Sequence, residues 1–282
     1  MTLAAITDEF SNDLSEALPA IARTGITQLE LRVVNRRNIL QLTDPELREA
    51  IEEIAGHGMR IIGIASPIFK WDIPGGPATD PNFQQDIFGA AYTHADLPML
   101  RERAFEVARQ TGAKLVRVFS YWRTIDPKAC RERVAESLHD IAVAAARHDV
   151  LIGLENEFAC NVATGAELAQ VLDDVRHPNL VAIWDPANAF LLGERSYPDG
   201  YTKLPVARIG HVHAKDCTVE AGHAKWGPIG EMGVDWKGQI AALRRDGYAG
   251  AISLETHWSG PGDSKIAGSE ICARNLAALL GH

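Results

Sequence analysis

The sequence is short of the features that mark several large classes of protein. No apolar run approaches the roughly 18 residues that a membrane-spanning helix needs, so no membrane partner is expected. The first residues, MTLAAITDEFSND, hold neither a basic stretch nor a continuous apolar core, so no secretory signal is read and a cytoplasmic location is the default. Cysteine is scarce: Cys130, Cys160, Cys217 and Cys272 are far apart and form no CxxC pair. That argues against a thiolate-held structural zinc, and reduced thiols are expected in such a compartment. Basic residues are outnumbered, 28 against 37 acidic ones, for a formal net charge of −9. Binding to nucleic acid needs Lys and Arg to neutralise phosphates; no cluster of the needed density occurs, and nucleic acid is not an expected partner.

What is present is a set of eight short apolar runs that end near Glu9, Arg32, Ser66, Ser120, Glu155, Asp185, His213 and Glu255. They are nearly continuous in Val, Ile, Leu and Ala, as expected of parallel strands covered on both faces. Between them the period changes to the 3–4 spacing of amphipathic helices, in LSEALPAIARTG, PELREAIEEIAGHG, LPMLRERAFEVARQTG and ACRERVAESLHDIAVAAARHD. Gly25, Gly58 and Gly112 close such stretches, and Thr43-Asp44-Pro45-Glu46 and Thr164-Gly165-Ala166-Glu167 read as helix starts. Strand and helix alternating in this way predict an α/β fold, a single (β/α)8 barrel over residues 1–282. The length suits a barrel, typically about 250 residues. An open doubly wound sheet is the competing architecture, but TDEFSND stands where a Gly-rich dinucleotide turn would follow the first strand. Two connections, 67–97 and 216–235, are long, irregular and rich in Pro, Gly and aromatics. They follow strands three and seven, on the face where barrel active sites are built, and are expected to form a rim with Trp71 and Trp226 in it.

Four consecutive runs, LIGLENEF, VAIWDPANAF, ARIGHVHAKD and AGAISLETHW, carry Glu155, Asp185, His213 and Glu255 at their ends. Carboxylates and imidazoles are costly beside aliphatic residues unless something pairs with them. A divalent metal is the economical partner. Three oxygen donors and one imidazole suit Mn²⁺, the expected ion, or Mg²⁺ and Co²⁺, and tolerate Zn²⁺. Residues two apart share a face of a strand, so Glu157 accompanies Glu155, His211 accompanies His213 and His257 accompanies Glu255.

LENEF, WDPAN, HVHAKD, PIGEMGVDW followed by GYAGAISLETHW, and GITQLELR stand in this order along essentially the whole chain. In that order and spacing the sequence resembles the xylose-isomerase-like barrel family of sugar isomerases and epimerases. The resemblance implies metal ligands Glu155, Asp185, His213 and Glu255, with His213 chosen over His211 because the family's metal histidine stands three before the aspartate, here Asp216. It also implies that Glu155 and Glu255 are the acid/base pair of an isomerase or epimerase acting on a sugar or polyol-derived ketone through an enediolate. Asn188, Lys215, His211, His257, Trp122 and Trp71 are the expected substrate contacts. Asn188 stands where several ketose epimerases have histidine, and Val219 where some have arginine, which argues against a free ketohexose. The partner expected is a small carbohydrate, and a homo-oligomer, dimer or tetramer, is compatible with the family. Two other reactions share the fold by resemblance: a dehydratase or lyase of the inosose or dehydroshikimate type, and an apurinic-endonuclease-like hydrolase. The second would need an Asp-x-His pair that HAKDCTVEAGHAKW lacks.

Overall fold

Eight strands close a parallel barrel: β1 (Thr2–Ile6), β2 (Gln28–Leu31), β3 (Arg60–Ile64), β4 (Leu115–Val118), β5 (Leu151–Glu155), β6 (Leu180–Trp184), β7 (Ile209–Ala214) and β8 (Ala251–Leu254). Each pairs with its neighbours in sequence, and β8 closes on β1 with Thr2 opposite Ala251. This computed structural model describes residues 1–83 and 91–281. The expected fold class is the one observed.

The connecting helices are α1 (Leu14–Arg23), α2 (Asp44–Gly56), α3 (Leu97–Thr111), α4 (Arg131–Ala146), α5 (Gly165–Asp174), the short α6 (Pro186–Leu191), α7 (Trp236–Arg245) and α8 (Lys265–Leu280). In α3 the buried residues are Leu100, Ala104, Phe105, Val107 and Ala108, one stripe turned to the barrel wall. Both helix starts read from sequence are capping boxes, Thr43 with Glu46 and Thr164 with Glu167. Gly112 ends α3 at φ 75°, a left-handed conformation that glycine adopts without a side-chain penalty. Among the described residues no helix is long and apolar enough to cross a membrane.

The second long connection differs from its expectation of irregular chain. Residues Asp216–Glu220 and His223–Gly227 pair as an antiparallel hairpin turning on Ala221 and Gly222 at φ 50° and 83°. Its polar, exposed tip carries almost no apolar period, so the pattern was hidden. The carboxylate of Asp216 anchors the hairpin and the return chain, accepting N–H bonds from Cys217 (2.9 Å), Gly230 (2.8 Å), Met232 (3.3 Å) and Val234 (3.0 Å). The connection after β3 lies partly outside the described residues, at 84–90.

A candidate metal and catalytic centre

The polar side chains gather where the strands end. Glu155 closes β5, Asp185 and Glu255 follow β6 and β8 directly, and His213 lies within β7. All four are buried. One donor atom from each lies within 4.8 Å of the others. Nδ1 of His213 is 3.1 Å from Oε1 of Glu155 and 3.5 Å from Oε2 of Glu255. Asp185 uses Oδ1 to cap α6, accepting the N–H groups of Ala187 (2.9 Å) and Asn188 (3.0 Å). Its Oδ2 is buried with no hydrogen-bond partner among the described atoms and has only the Lys215 ammonium beside it, at 2.9 Å. A buried, under-used carboxylate oxygen among two further carboxylates and an imidazole is what a divalent cation fits.

Behind the imidazole stands Glu30 of β2. Its Oε1 is 3.2 Å from His213 Nε2 and 2.8 Å from His211 Nε2, while His211 also meets Ser253 at 2.8 Å. Gly63 makes this possible, because a Cβ there would come within 3.0 Å of Glu30 Cγ. With Glu30 accepting from Nε2–H, Nδ1 is the nitrogen that faces the other three donors and becomes a ligand once its own proton leaves, the arrangement by which a carboxylate orients a ligating histidine. Glu30→Gln is expected to weaken Mn²⁺ binding about 10–100-fold, read by calorimetry; an unchanged affinity would remove Glu30 from this role.

Buried basic groups compensate the acids. Arg117 of β4 donates to Glu155 Oε2 at 3.1 Å and lies 3.6 Å from Glu255 Oε1. Arg32 donates to Glu255 Oε1 at 2.8 Å, and Lys215 Nζ to Glu255 Oε2 at 2.8 Å. Burial pushes the Glu255 carboxyl up, yet Lys215 and His213 hold it well below the ordinary range. Burial and Glu255 push Glu155 up while His213 and Arg117 pull harder, leaving it lowered. Asp185 goes the other way. Burial lifts its carboxyl to about 6 against the pull of Lys215, with Glu155 and Glu255 adding repulsion. The Lys215 ammonium is held well above its ordinary value despite burial, because it is shared between Asp185 and Glu255. Burial opposes charge on His213, but Glu155, Glu30 and Glu255 raise it well above the ordinary imidazole range.

The signs give a pH dependence. In the metal-free centre His213 holds a proton through neutral pH, and Asp185 gains one as pH falls through about 6. Metal must displace both. Mn²⁺ affinity is therefore expected to fall about tenfold per pH unit near neutrality and about a hundredfold per unit below about 6, one and then two protons released. A pH series of titrations checks it; a flat profile would contradict it.

The remaining expected contacts are distributed as follows. Asn188 lies against the cluster, its Nδ2 donating to the Asn156 carbonyl (2.8 Å), to Glu157 Oε2 (3.1 Å) and to Glu155 Oε1 (3.4 Å). His257, at φ 51°, stands 3.7 Å from Glu255 Oε1 and stacks near Trp226, ring centroids 5.0 Å apart. Trp226 thus overhangs the centre, with Lys215 Nζ 5.8 Å from its ring. Trp122 packs with Phe119, Ala159 and Cys160, and its ring lies 5.6 Å from Lys70 Nζ. Trp71 is packed against Phe69 and Tyr121, with its Nε1 buried and without a hydrogen-bond partner among the described atoms. The four cysteines are buried; burial raises the Cys217 and Cys272 thiols to about 12 and moves Cys160 upward too, so none of these three is a reactive thiolate.

Sequence reasoning assigned no role to Arg117, Arg32 or Glu30. The signal was there: LVRV sets one arginine in an apolar strand, and GITQLELR a glutamate in another. A lone charge at an inward position is a request for a partner.

A family model described as xylose isomerase-like TIM barrel matches residues 18–274. No curated protein matches the chain significantly. Among solved structures, the IOLI protein with a bound zinc atom superposes with a TM-score of 0.78 at 16% identity, covering 100% of this chain and 98% of that one. D-psicose 3-epimerase, solved in the presence of D-fructose, gives 0.71 at 18% identity with 100% of both chains covered. A fusion of a xylose isomerase-like TIM barrel with a 4-hydroxyphenylpyruvate dioxygenase gives 0.73 at 21% identity; the match covers 99% of this chain but 42% of that one.

Proposed function

The chain belongs to the xylose isomerase-like TIM barrel family, and from that premise we propose that it is a divalent-metal-dependent isomerase or epimerase of a sugar or polyol-derived ketone. The observation that carries this reading is the convergence of Glu155, Asp185, His213 and Glu255 on one point at the C-terminal mouth of the barrel. Two of those four carboxylate and imidazole groups are glutamates on separate strands, which places two bases beside one another. An ion of the Mn²⁺ type held there would make the hydrogen on a carbon between a carbonyl and a hydroxyl more acidic.

The chain's own residues do the rest. Glu155 removes the carbon-bound proton to leave an enediolate, and a proton reaches the other face through Glu255, which takes it from the Lys215 ammonium 2.8 Å from its Oε2; solvent then resets Glu155 and Lys215. Arg117 fixes Glu155 through Oε2 and Arg32 fixes Glu255 through Oε1, so each carboxylate keeps one oxygen turned to the centre. Lys215, with its ammonium among the donors, offsets negative charge developing on substrate oxygens. Trp226 limits the access of water from the side of the hairpin.

A lyase on the same barrel would need an acid for the departing hydroxyl, and the connection after β7 offers His223 and Glu231. Both are exposed, and Glu231 accepts a hydrogen bond from Asn275 Nδ2 at 2.8 Å. That favours returning the proton to carbon. The test is incubation of the Mn²⁺-loaded protein with candidate ketoses in D₂O, followed by NMR. Deuterium beside the carbonyl is the expected result; turnover without any exchange of a carbon-bound hydrogen would eliminate the reading.

A further inference from the structure

A second group of donors adjoins the first and shares Glu255. Glu9, Glu255 and His257 also bring one ligand atom each to within 4.8 Å of one another. Nε2 of His257 lies 3.9 Å from Oε1 of Glu9 and 3.7 Å from Oε1 of Glu255. By residue type alone this trio would take another cation, linked to the first through Glu255. A cavity of about 860 Å³, with Glu9, Arg32, His257 and Lys265 in its lining, opens onto it and gives ions a path from solvent.

The corner already holds a cation that belongs to the chain. Arg32 is buried, and it donates through Nη2 to Oε1 of Glu9 and through Nη1 to Oε1 of Glu255 at 2.8 Å. Those are the same two oxygens that face His257. The guanidinium plane is fixed from behind, since its Nε donates to Asp8 Oδ2 at 2.9 Å while Asp8 Oδ1 accepts the N–H of Val33 at 3.1 Å. A guanidinium does not lose its proton inside a protein. An ion in this corner would need lone pairs that Arg32 occupies, and would stand against a permanent positive charge in a medium that screens poorly.

We propose that Arg32 takes the place of a second metal ion and so restricts the centre to a single ion, held by Glu155, Asp185, His213 and Glu255. The inference rests on the metal-dependent reading above. Arg32 acts through Glu255: it holds Oε1, while Oε2, the oxygen 3.5 Å from His213 Nδ1, faces the first centre. There its partner is Lys215 at 2.8 Å, an ammonium on a flexible stem that an entering ion can displace, as it cannot displace a guanidinium fixed by Asp8. The centre is then one for mononuclear chemistry, with Arg32 as a positioning residue.

The test titrates the full-length chain, stripped by a chelator, with MnCl₂, following heat by calorimetry and the bound ion by electron paramagnetic resonance. Wild type is expected to bind one equivalent. Two equivalents would overturn the inference, whereas none would overturn the metal reading itself. Arg32→Ala is expected to gain a second, weaker equivalent and the spectrum of an exchange-coupled pair, because Glu255 would bridge the ions. A folded Arg32→Ala that still takes one equivalent would refute the role of Arg32. Removing a buried arginine strands its carboxylates and can unfold the chain, so Glu9→Gln provides a milder arm. Its amide oxygen still receives Arg32, at the loss of the bond that Oε2 accepts from His257 N–H, and one equivalent within about tenfold of wild-type affinity is expected. Weakening by more than about tenfold, beyond the low end of an outer-shell effect, would make Glu9 a ligand and overturn the proposal.

Discussion

Glu155→Gln, assayed at saturating Mn²⁺ on a true substrate, is expected to lose about 10²–10⁴ of the turnover rate. The amide has almost the shape of the carboxylate, and its single oxygen can still accept from Arg117, now 3.1 Å from Oε2, while its NH2 loses the bond from Asn188 Nδ2, now 3.4 Å from Oε1. What it cannot do is take a proton from carbon. Because Glu155 is also one of the four donors, metal affinity falls as well; saturating Mn²⁺ separates that loss from the loss of the base. The decisive readout is the rate at which deuterium enters substrate, since this follows proton abstraction alone. A variant that exchanges at the wild-type rate would sink the acid/base assignment while leaving the metal site standing. Some stability is lost with the charge, because His213 and Arg117 outweigh burial and Glu255 in holding Glu155 ionised, so neutralising it removes a net attraction and leaves Arg117 with a weaker buried partner.

Asp185→Ala is expected to lose measurable Mn²⁺ binding and to keep the circular dichroism of the folded barrel. Oδ2 of Asp185 is the donor with least else to do, being buried beside Lys215 without a hydrogen bond among the described atoms. Its loss should exceed the roughly 10–100-fold expected of an outer-shell change. The fold has reason to survive. Loss of the cap that Oδ1 provides to α6 costs about 1 kcal/mol, and Lys215 retains Glu255 at 2.8 Å. Binding at wild-type affinity would mean that the ion, if any, sits elsewhere.

Much of the architecture was readable because barrel and helix impose different periods. Runs such as LIGLE and LVAIW could only be covered strands, and the capping boxes at Thr43 and Thr164 marked helix starts by local hydrogen bonding alone. The hairpin at Asp216–Gly227 escaped notice because its tip is solvated and its anchor is a single carboxylate gathering backbone N–H groups from residues up to 18 positions away. Trp71, expected as a substrate contact, has its ring against Phe69 and Tyr121 and its Nε1 unpartnered among the described atoms. In sequence, an aromatic in a long connection looks the same whether it lines a site or fills a core.

By itself, the sequence determined the order of strands and helices and the candidate ligands at four successive strand ends, since both follow from short-range pattern and from the cost of placing charge beside aliphatic residues. Only the tertiary structure decided which charges meet. Arg32 reaches Glu255 across 223 residues, Glu30 reaches His213 across 183, and Lys215 comes to lie between Asp185 and Glu255. Closure of β8 onto β1 brings the two ends of the chain to one mouth, and no local pattern encodes that contact. The proton affinities of the centre depend on it in the same way: burial lifts Asp185, and Lys215 and His213 lower Glu255 against burial, conditions that exist only when the barrel closes.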